Sequence, residues 1–136
     1  MTGKLISFEG IDGSGKSTQI QMLENEFNKF NIDYKTFREP GGTILSEKIR
    51  EILLDKKHID FIPMAESLLF AAARAQLTVE QIKPALMENK IVICDRFIDS
   101  TIAYQGYGRG LDIQNLEQIN NIATEGIHPD ITFILD

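Results

Sequence analysis

The chain has no tryptophan, four prolines and a single cysteine in 136 residues. One cysteine excludes an intrachain disulfide. Cys94 lies in an apolar run, as a small buried hydrophobe in a reduced compartment would. No apolar run approaches the roughly 20 residues of a membrane span. The N-terminus passes straight into a strand pattern and carries no signal-peptide signature. These absences predict a cytoplasmic protein with no membrane partner. Positive charge is also scarce, with 14 Lys and Arg against 20 Asp and Glu, a net charge of −6. A pI near 4.9 argues against a nucleic-acid-binding surface, which needs a basic face. No repeat, low-complexity tract or linker interrupts the chain. Hydrophobic residues make up 43% and charged residues 25%, ordinary for one globular domain.

What is present is concentrated. Gly10-Ile11-Asp12-Gly13-Ser14-Gly15-Lys16-Ser17 fills every fixed place of the phosphate-binding loop G-x-x-x-x-G-K-[ST]. Its glycines permit backbone angles that a Cβ would block. Consecutive N–H groups, running on to Thr18, can then wrap the phosphates of ATP. Lys16 supplies a positive charge to the β- and γ-phosphates, and the Ser17 hydroxyl can ligate Mg²⁺. The flanks fit. Lys4–Glu9 reads as a strand, and Ile20, Leu23, Phe27 and Phe30 recur at helical spacing behind the loop.

Strands and helices then alternate, which predicts an α/β fold: a P-loop three-layer arrangement with a parallel sheet flanked by helices. The pattern gives a helix from Lys16 to about Phe30 and a strand near 32–37. The Pro-Gly break Arg38-Glu39-Pro40-Gly41-Gly42 follows. The next helix shows Leu45, Ile49, Ile52 and Leu53 on one face, with Arg50 off that face or at its rim. A longer helix covers about 64–77, with Leu68, Leu69, Ala72 and Ala73 as its packed residues, and Pro84 marks a kink or new helix over 79–88. Ile91-Val92-Ile93-Cys94 has the continuous apolar character of a central parallel strand. A glycine-rich loop spans 105–110, a helix about 113–125 stops at Gly126, and a last strand covers 131–135. P-loop folds usually continue past such a strand. The expectation is that residues 1–136 form the N-terminal part of a P-loop nucleotide kinase domain, without its C-terminal lid and final elements.

Three charged residues stand at the expected sheet edge. Asp95 follows the apolar strand directly, where P-loop proteins place a Mg²⁺-holding carboxylate; a helix cap is the alternative. Arg96 beside it can grip a phosphate bidentately or form a structural ion pair. Asp12 inside the loop serves either a sugar hydroxyl, a charge partner or the shape of the turn. The chain has five arginines: Arg38, Arg50, Arg74, Arg96 and Arg109. All but Arg74 lie near turn signals or strand ends, as in a local anion site. A GTP switch needs Asn-Lys-x-Asp, and neither Asn28-Lys29 nor Asn89-Lys90 has Asp two places on.

With these landmarks in order, the chain resembles the bacterial thymidylate kinases, P-loop nucleoside monophosphate kinases. The resemblance rests on Phe8-Glu9-Gly10 with the P-loop, Arg38-Glu39-Pro40-Gly41-Gly42, Leu69-Phe70-Ala71-Ala72-Ala73-Arg74, Asp95-Arg96-Phe97, and Ala103-Tyr104-Gln105-Gly106 with Gly108-Arg109-Gly110. It spans essentially all 136 residues. It implies transfer of the γ-phosphoryl of ATP to dTMP with Mg²⁺, and a homodimer for the whole family protein. It also implies roles. Phe70 would stack on thymine, Arg74 would hydrogen-bond the base edge, and Gln105 would contact the base with Thr101 close by. Tyr104 would lie under the sugar and Asp12 would face the 3′-hydroxyl. Arg50 and Arg96 would hold the acceptor phosphate near Glu39. Lys16, Arg96, Asp95 and Asp12 would be the catalytic set, with Ser17 and Asp95 on the metal. The P-loop carries no arginine, which resembles the family variant that relies on lid arginines. Two rivals remain at this point: an inactive nucleotide-binding fragment, and a kinase for another nucleoside or nucleotide.

Overall fold

The computed structural model describes residues 2–136 and builds a four-stranded, all-parallel sheet in the order β2-β3-β1-β4. The strands are β1 (Lys4–Glu9), β2 (Tyr34–Arg38), β3 (Ile91–Asp95) and β4 (Ile131–Ile134). The helices are α1 (Lys16–Lys29), α2 (Ile44–Leu54), α3 (Pro63–Leu77), α4 (Lys83–Met87), α5 (Ile98–Thr101) and α6 (Ile113–Ala123). The predicted three-layer architecture is present. No helix among the described residues is long and apolar enough to cross a membrane.

Alternation along β1 sorts the core. Ile6 and Phe8 face α1 and pack with Ile20, Ile93, Leu23 and Phe27. Leu5, from the other face, packs with Val92, Cys94, Leu77, Ile82, Leu86 and Phe97. This is the two-sided burial that a central parallel strand requires. Leu5, Leu77, Ile82 and Ile93 are fully buried, so truncating any of them to Ala removes about 2–5 kcal/mol of stability. Cys94 is equally buried, and burial pushes its thiol well above the usual range. β4 is an edge strand, with Ile131, Phe133 and Ile134 exposed.

Local signals set the helix starts. Thr43 caps α2 by accepting from the Ser46 N–H at 2.9 Å, and Asp112 caps α6 by accepting from the Asn115 N–H at 3.1 Å. α1 differs. Its cap residue is Gly15, and no side chain satisfies its first N–H groups. Those donors are left for something outside the protein.

Two expectations need correction, and one open alternative is settled. The segment after β3 is not an open loop: α5 runs into an i→i+5 helical turn over Ile102–Tyr107. Gly106 lies inside that turn because a Cβ there would collide with Ile113. A similar wide turn, Thr78–Ile82, bridges α3 to α4, and of the two readings of Pro84 the new helix is the one present. Finally, only half of the expected packed set on α3 holds: Ala73 is buried, and Leu69 packs beside it against Ile49 and Leu53. Leu68 and Ala72 are exposed, whereas Glu66, Ser67 and Arg74 are buried with Ala71, Ala73 and Leu77. Paired polar groups, described next, override the apolar pattern. Phe30 is likewise exposed, one residue beyond α1.

Candidate active site

The C-terminal ends of β1, β2 and β3 deliver the charged residues to one edge, where ligands of open α/β sheets gather. β1 runs into the P-loop, β2 ends at Arg38 before Glu39, and β3 ends at Asp95 before Arg96. Backbone bonds tie the three together. Glu39 N–H donates to Asp95 O at 3.0 Å, and Arg96 N–H donates to Phe8 O at 2.8 Å.

The P-loop encloses a cavity of about 510 Å³ lined by Asp12, Gly13, Gly15, Lys16, Ser17, Thr18, Arg38, Glu39, Arg50, Asp95 and Arg96. Gly13 and Gly15 adopt φ of 80° and 97°, angles only glycine takes without strain. Lys16 is buried and donates to Gly10 O at 2.9 Å and Ile11 O at 3.2 Å, so its ammonium lies over the loop. Ser14 Oγ is buried with no partner. An orphaned hydroxyl, an uncapped helix and a lysine across a glycine cradle fit a bound polyphosphate. Ser17 and Asp95 share this cavity, and no group of three His, Cys, Asp or Glu among the described residues could hold a metal alone. One hydroxyl and one carboxylate fit a hard cation that takes its other oxygens from phosphate and water.

A second cavity of about 360 Å³ opens between α2, α3 and the segment following β3. Phe70, Arg74, Thr101, Tyr104 and Gln105 line it, with Glu66, Leu53, Leu54 and Lys56. Asp12, Glu39, Arg50 and Arg96 line both cavities. At that junction Arg96 NH2 donates to Asp12 Oδ1 at 2.6 Å, and its guanidinium lies 5.7 Å from the Tyr104 ring. Arg96 Nε is buried without a partner, and the residue sits at φ 69°, a left-handed angle that aims it off the strand end. Arg50 NH1 donates to Pro40 O at 3.0 Å. Its pKa is lowered by burial first and by the neighbouring Arg38 charge, with Glu47 opposing. Every site residue named from the sequence therefore falls in one of two adjoining cavities or in the loop between them.

Arg74 is where geometry differs from the implied role. The residue is 2% exposed, and it makes four hydrogen bonds besides a closer ion pair. Nε and NH2 meet Glu39 Oε2 at 2.7 and 2.6 Å, and NH2 also donates to Phe97 O at 3.0 Å. NH1 donates to Thr101 Oγ1 at 2.9 Å and Asn120 Oδ1 at 2.6 Å. Both contacts to the buried carboxylate opposite fall on its Oε2, and Glu39 Oε1 is left without a partner. A base would meet this guanidinium only by sharing a donor. Burial raises the Glu39 carboxyl while Arg74 pulls it back.

Sequence reasoning assigned no role to Glu9, Glu66 or Asn120. Glu9 accepts from the Phe97 N–H at 2.7 Å and from the Ser100 hydroxyl, fixing the backbone directly after Arg96. Burial raises its carboxyl despite these donors. Glu66 lies four residues before Phe70 on the same helical stripe, a spacing that could have flagged it. Asn120 carries no such signal; only the approach of α6 to α3 reveals it.

A family model described as thymidylate kinase matches residues 8–136. The thymidylate kinase of Pelotomaculum thermopropionicum is 54% identical over 136 residues, which cover 100% of this chain and 63% of that protein. The corresponding protein of Caldanaerobacter subterraneus is also 54% identical, with 100% and 65% covered. The chain thus spans just under two thirds of the length of these relatives. The crystal structure of thymidylate kinase from Ehrlichia chaffeensis matches with a TM-score of 0.90 at 47% identity, covering 100% of this chain and 77% of that one.

Proposed function

The chain belongs to the thymidylate kinase family, and from that premise we propose that it carries the phosphate loop and acceptor site of an enzyme moving the γ-phosphoryl of ATP to dTMP. The observation that carries this reading is the junction. Two cavities, one fitted to polyphosphate and one walled by two aromatic rings and an amide, share two arginines and two carboxylates. Phosphoryl transfer needs two phosphates brought in line and their charge neutralised, with little other chemistry from the protein.

In this reading the P-loop N–H groups from Gly10 to Thr18 and the Lys16 ammonium bind the donor phosphates. Mg²⁺, held by Ser17 and Asp95, would supply further neutralisation when bound. Arg96 and Arg50 orient the acceptor phosphate, Arg96 exchanging its bond to Asp12 for one to phosphate. Asp12 is then free to accept from the sugar 3′-hydroxyl. Phe70 stacks on the base, Tyr104 lies under the sugar, and Gln105 and Thr101 read the base edge. Arg74 braces Glu39 and Thr101 and shares a donor with the base at most. A cytoplasmic location accords with substrates of this kind.

A coupled ADP-release assay with dTMP, dUMP, CMP and AMP as acceptors tests the proposal. ADP release that is fastest with dTMP is the expected result. Equal release with every acceptor favours a different kinase, and ATP binding without acceptor-dependent release favours a nucleotide-binding role alone.

A further inference from the structure

α3 brings a third residue to the acceptor cavity beside Phe70 and Arg74. Glu66, Phe70 and Arg74 are spaced four apart, so they form one stripe, and all three line the cavity. Glu66 is 4% exposed. A carboxylate that buried needs partners, and it has three. Lys56 Nζ donates to its Oε2 at 2.6 Å. Gln105 Nε2 and Arg109 NH1 reach its Oε1 at 3.2 and 3.4 Å. Burial works to raise the Glu66 carboxyl, but the Lys56 and Gln105 hydrogen bonds and the Lys56 and Arg109 charges outweigh it and hold it below the usual range. The group is therefore ionised near neutral pH, and an ionised carboxylate only accepts.

Gln105 is as buried as Glu66. Its amide has two unlike ends, a donating nitrogen and an accepting oxygen. Against an ionised carboxylate only the nitrogen end bonds; the reversed amide would set oxygen against oxygen. That bond uses one of the two nitrogen protons and holds the nitrogen end at Glu66, so the oxygen is the end turned away from Glu66 and open to a donor.

We infer that Glu66 is a positioning residue for base specificity: it locks the Gln105 amide so that the cavity is offered an acceptor, which favours a pyrimidine carrying a proton on N3. Uracil and thymine rings carry that proton, whereas cytosine presents a bare lone pair at N3. The inference rests on the acceptor-site reading above and adds the residue that sets the polarity of the site.

The test compares dUMP with dCMP, which differ only at N3 and C4, by calorimetric titration of the whole 136-residue chain. The wild-type chain binds dUMP more tightly. In Glu66→Gln the amide at 66 can face Gln105 with either end, so the preference shrinks by about tenfold, the scale of one correctly paired group. In a Gln105→Leu background the same change leaves the preference within about twofold, because the two act through one contact. An unchanged preference in a Glu66→Gln protein of native melting temperature overturns the inference, and so does an equal drop in both backgrounds. Where Glu66→Gln does not fold, nitrogen-15 NMR of the wild-type chain decides. One Gln105 Nε2 proton protected from solvent exchange supports the lock, and two freely exchanging protons overturn it. If the wild-type chain binds neither nucleotide, the acceptor-site reading itself falls.

Discussion

The two cavities meet at the same four residues yet are built by opposite means. The P-loop cavity is made largely of backbone. Glycine angles, an uncapped helix start and one lysine do the work, all within residues 10–18. The second cavity is made of side chains gathered from α2, α3, α5 and the turn after it. Its central bonds join residues 27 to 46 apart in sequence. A locally encoded site keeps its shape wherever its strand and helix form. A site assembled from distant side chains depends on the whole fold and contributes to it. Damage should therefore separate: changes in the acceptor wall cost stability, and changes in the loop cost chemistry.

The largest effect is expected where the wall is most buried. Arg74→Leu leaves the Glu39 carboxyl buried and without its partner, a loss of about 3–5 kcal/mol in urea unfolding. Adding Glu39→Leu should restore much of it, since the pair then vanishes together. If the double variant is no more stable than the single, Arg74 is not held there for Glu39.

Lys16→Ala tests the opposite corner. Its urea midpoint should stay close to wild type while dTMP-dependent ADP release falls at least about 100-fold, the scale of one missing donor at a transition state. Loss of stability on the scale of Arg74→Leu would erase the distinction between the two sites.

Phe70→Ala sharpens the comparison within function. It should weaken dTMP binding by about 1–3 kcal/mol through lost stacking and burial, and leave ATP affinity unchanged. Calorimetry with each nucleotide separately is decisive, and an equal loss for both would mean that the cavities are not independent.

The smallest effect concerns Glu9, which lies between the two sites. Its folded pKa is raised, chiefly by burial. Such a group adds stability below its unfolded pKa, and that contribution is lost as pH rises through the folded value. The stability of the wild-type chain relative to Glu9→Gln should therefore decline on going from acid towards neutral pH. A relative stability that rises over that window would assign Glu9 the opposite sign.

The same division explains what could be read from the amino-acid sequence. The P-loop, β1 and β3 were legible because each depends on neighbours in the chain: a glycine spacing, an apolar run, a helical repeat. Phe70, Tyr104 and Gln105 of the second cavity were reachable only through family resemblance, since taken alone Phe70 reads as a core aromatic on an apolar helix. The buried face of α3 departs in part from its apolar pattern for a related reason. Hydrophobic periodicity finds apolar stripes, but this stripe is Glu66, Phe70 and Arg74, whose polar members are buried only because Lys56, Gln105, Glu39, Thr101 and Asn120 come from elsewhere. Residues 105–110 read as a loop from their glycines, whereas Gly106 is there for close packing inside a helical turn.

Cys94 has a use unrelated to catalysis. The chain's single thiol is sealed in the sheet, and its deprotonation is suppressed by burial. Maleimides and related reagents attack thiolates at accessible sites. The native protein should therefore be silent to them, and a cysteine introduced at an exposed position such as Ile122→Cys would take a fluorophore alone. Motions around the two cavities could then be followed by single-site spectroscopy with no need to remove the natural residue from the core.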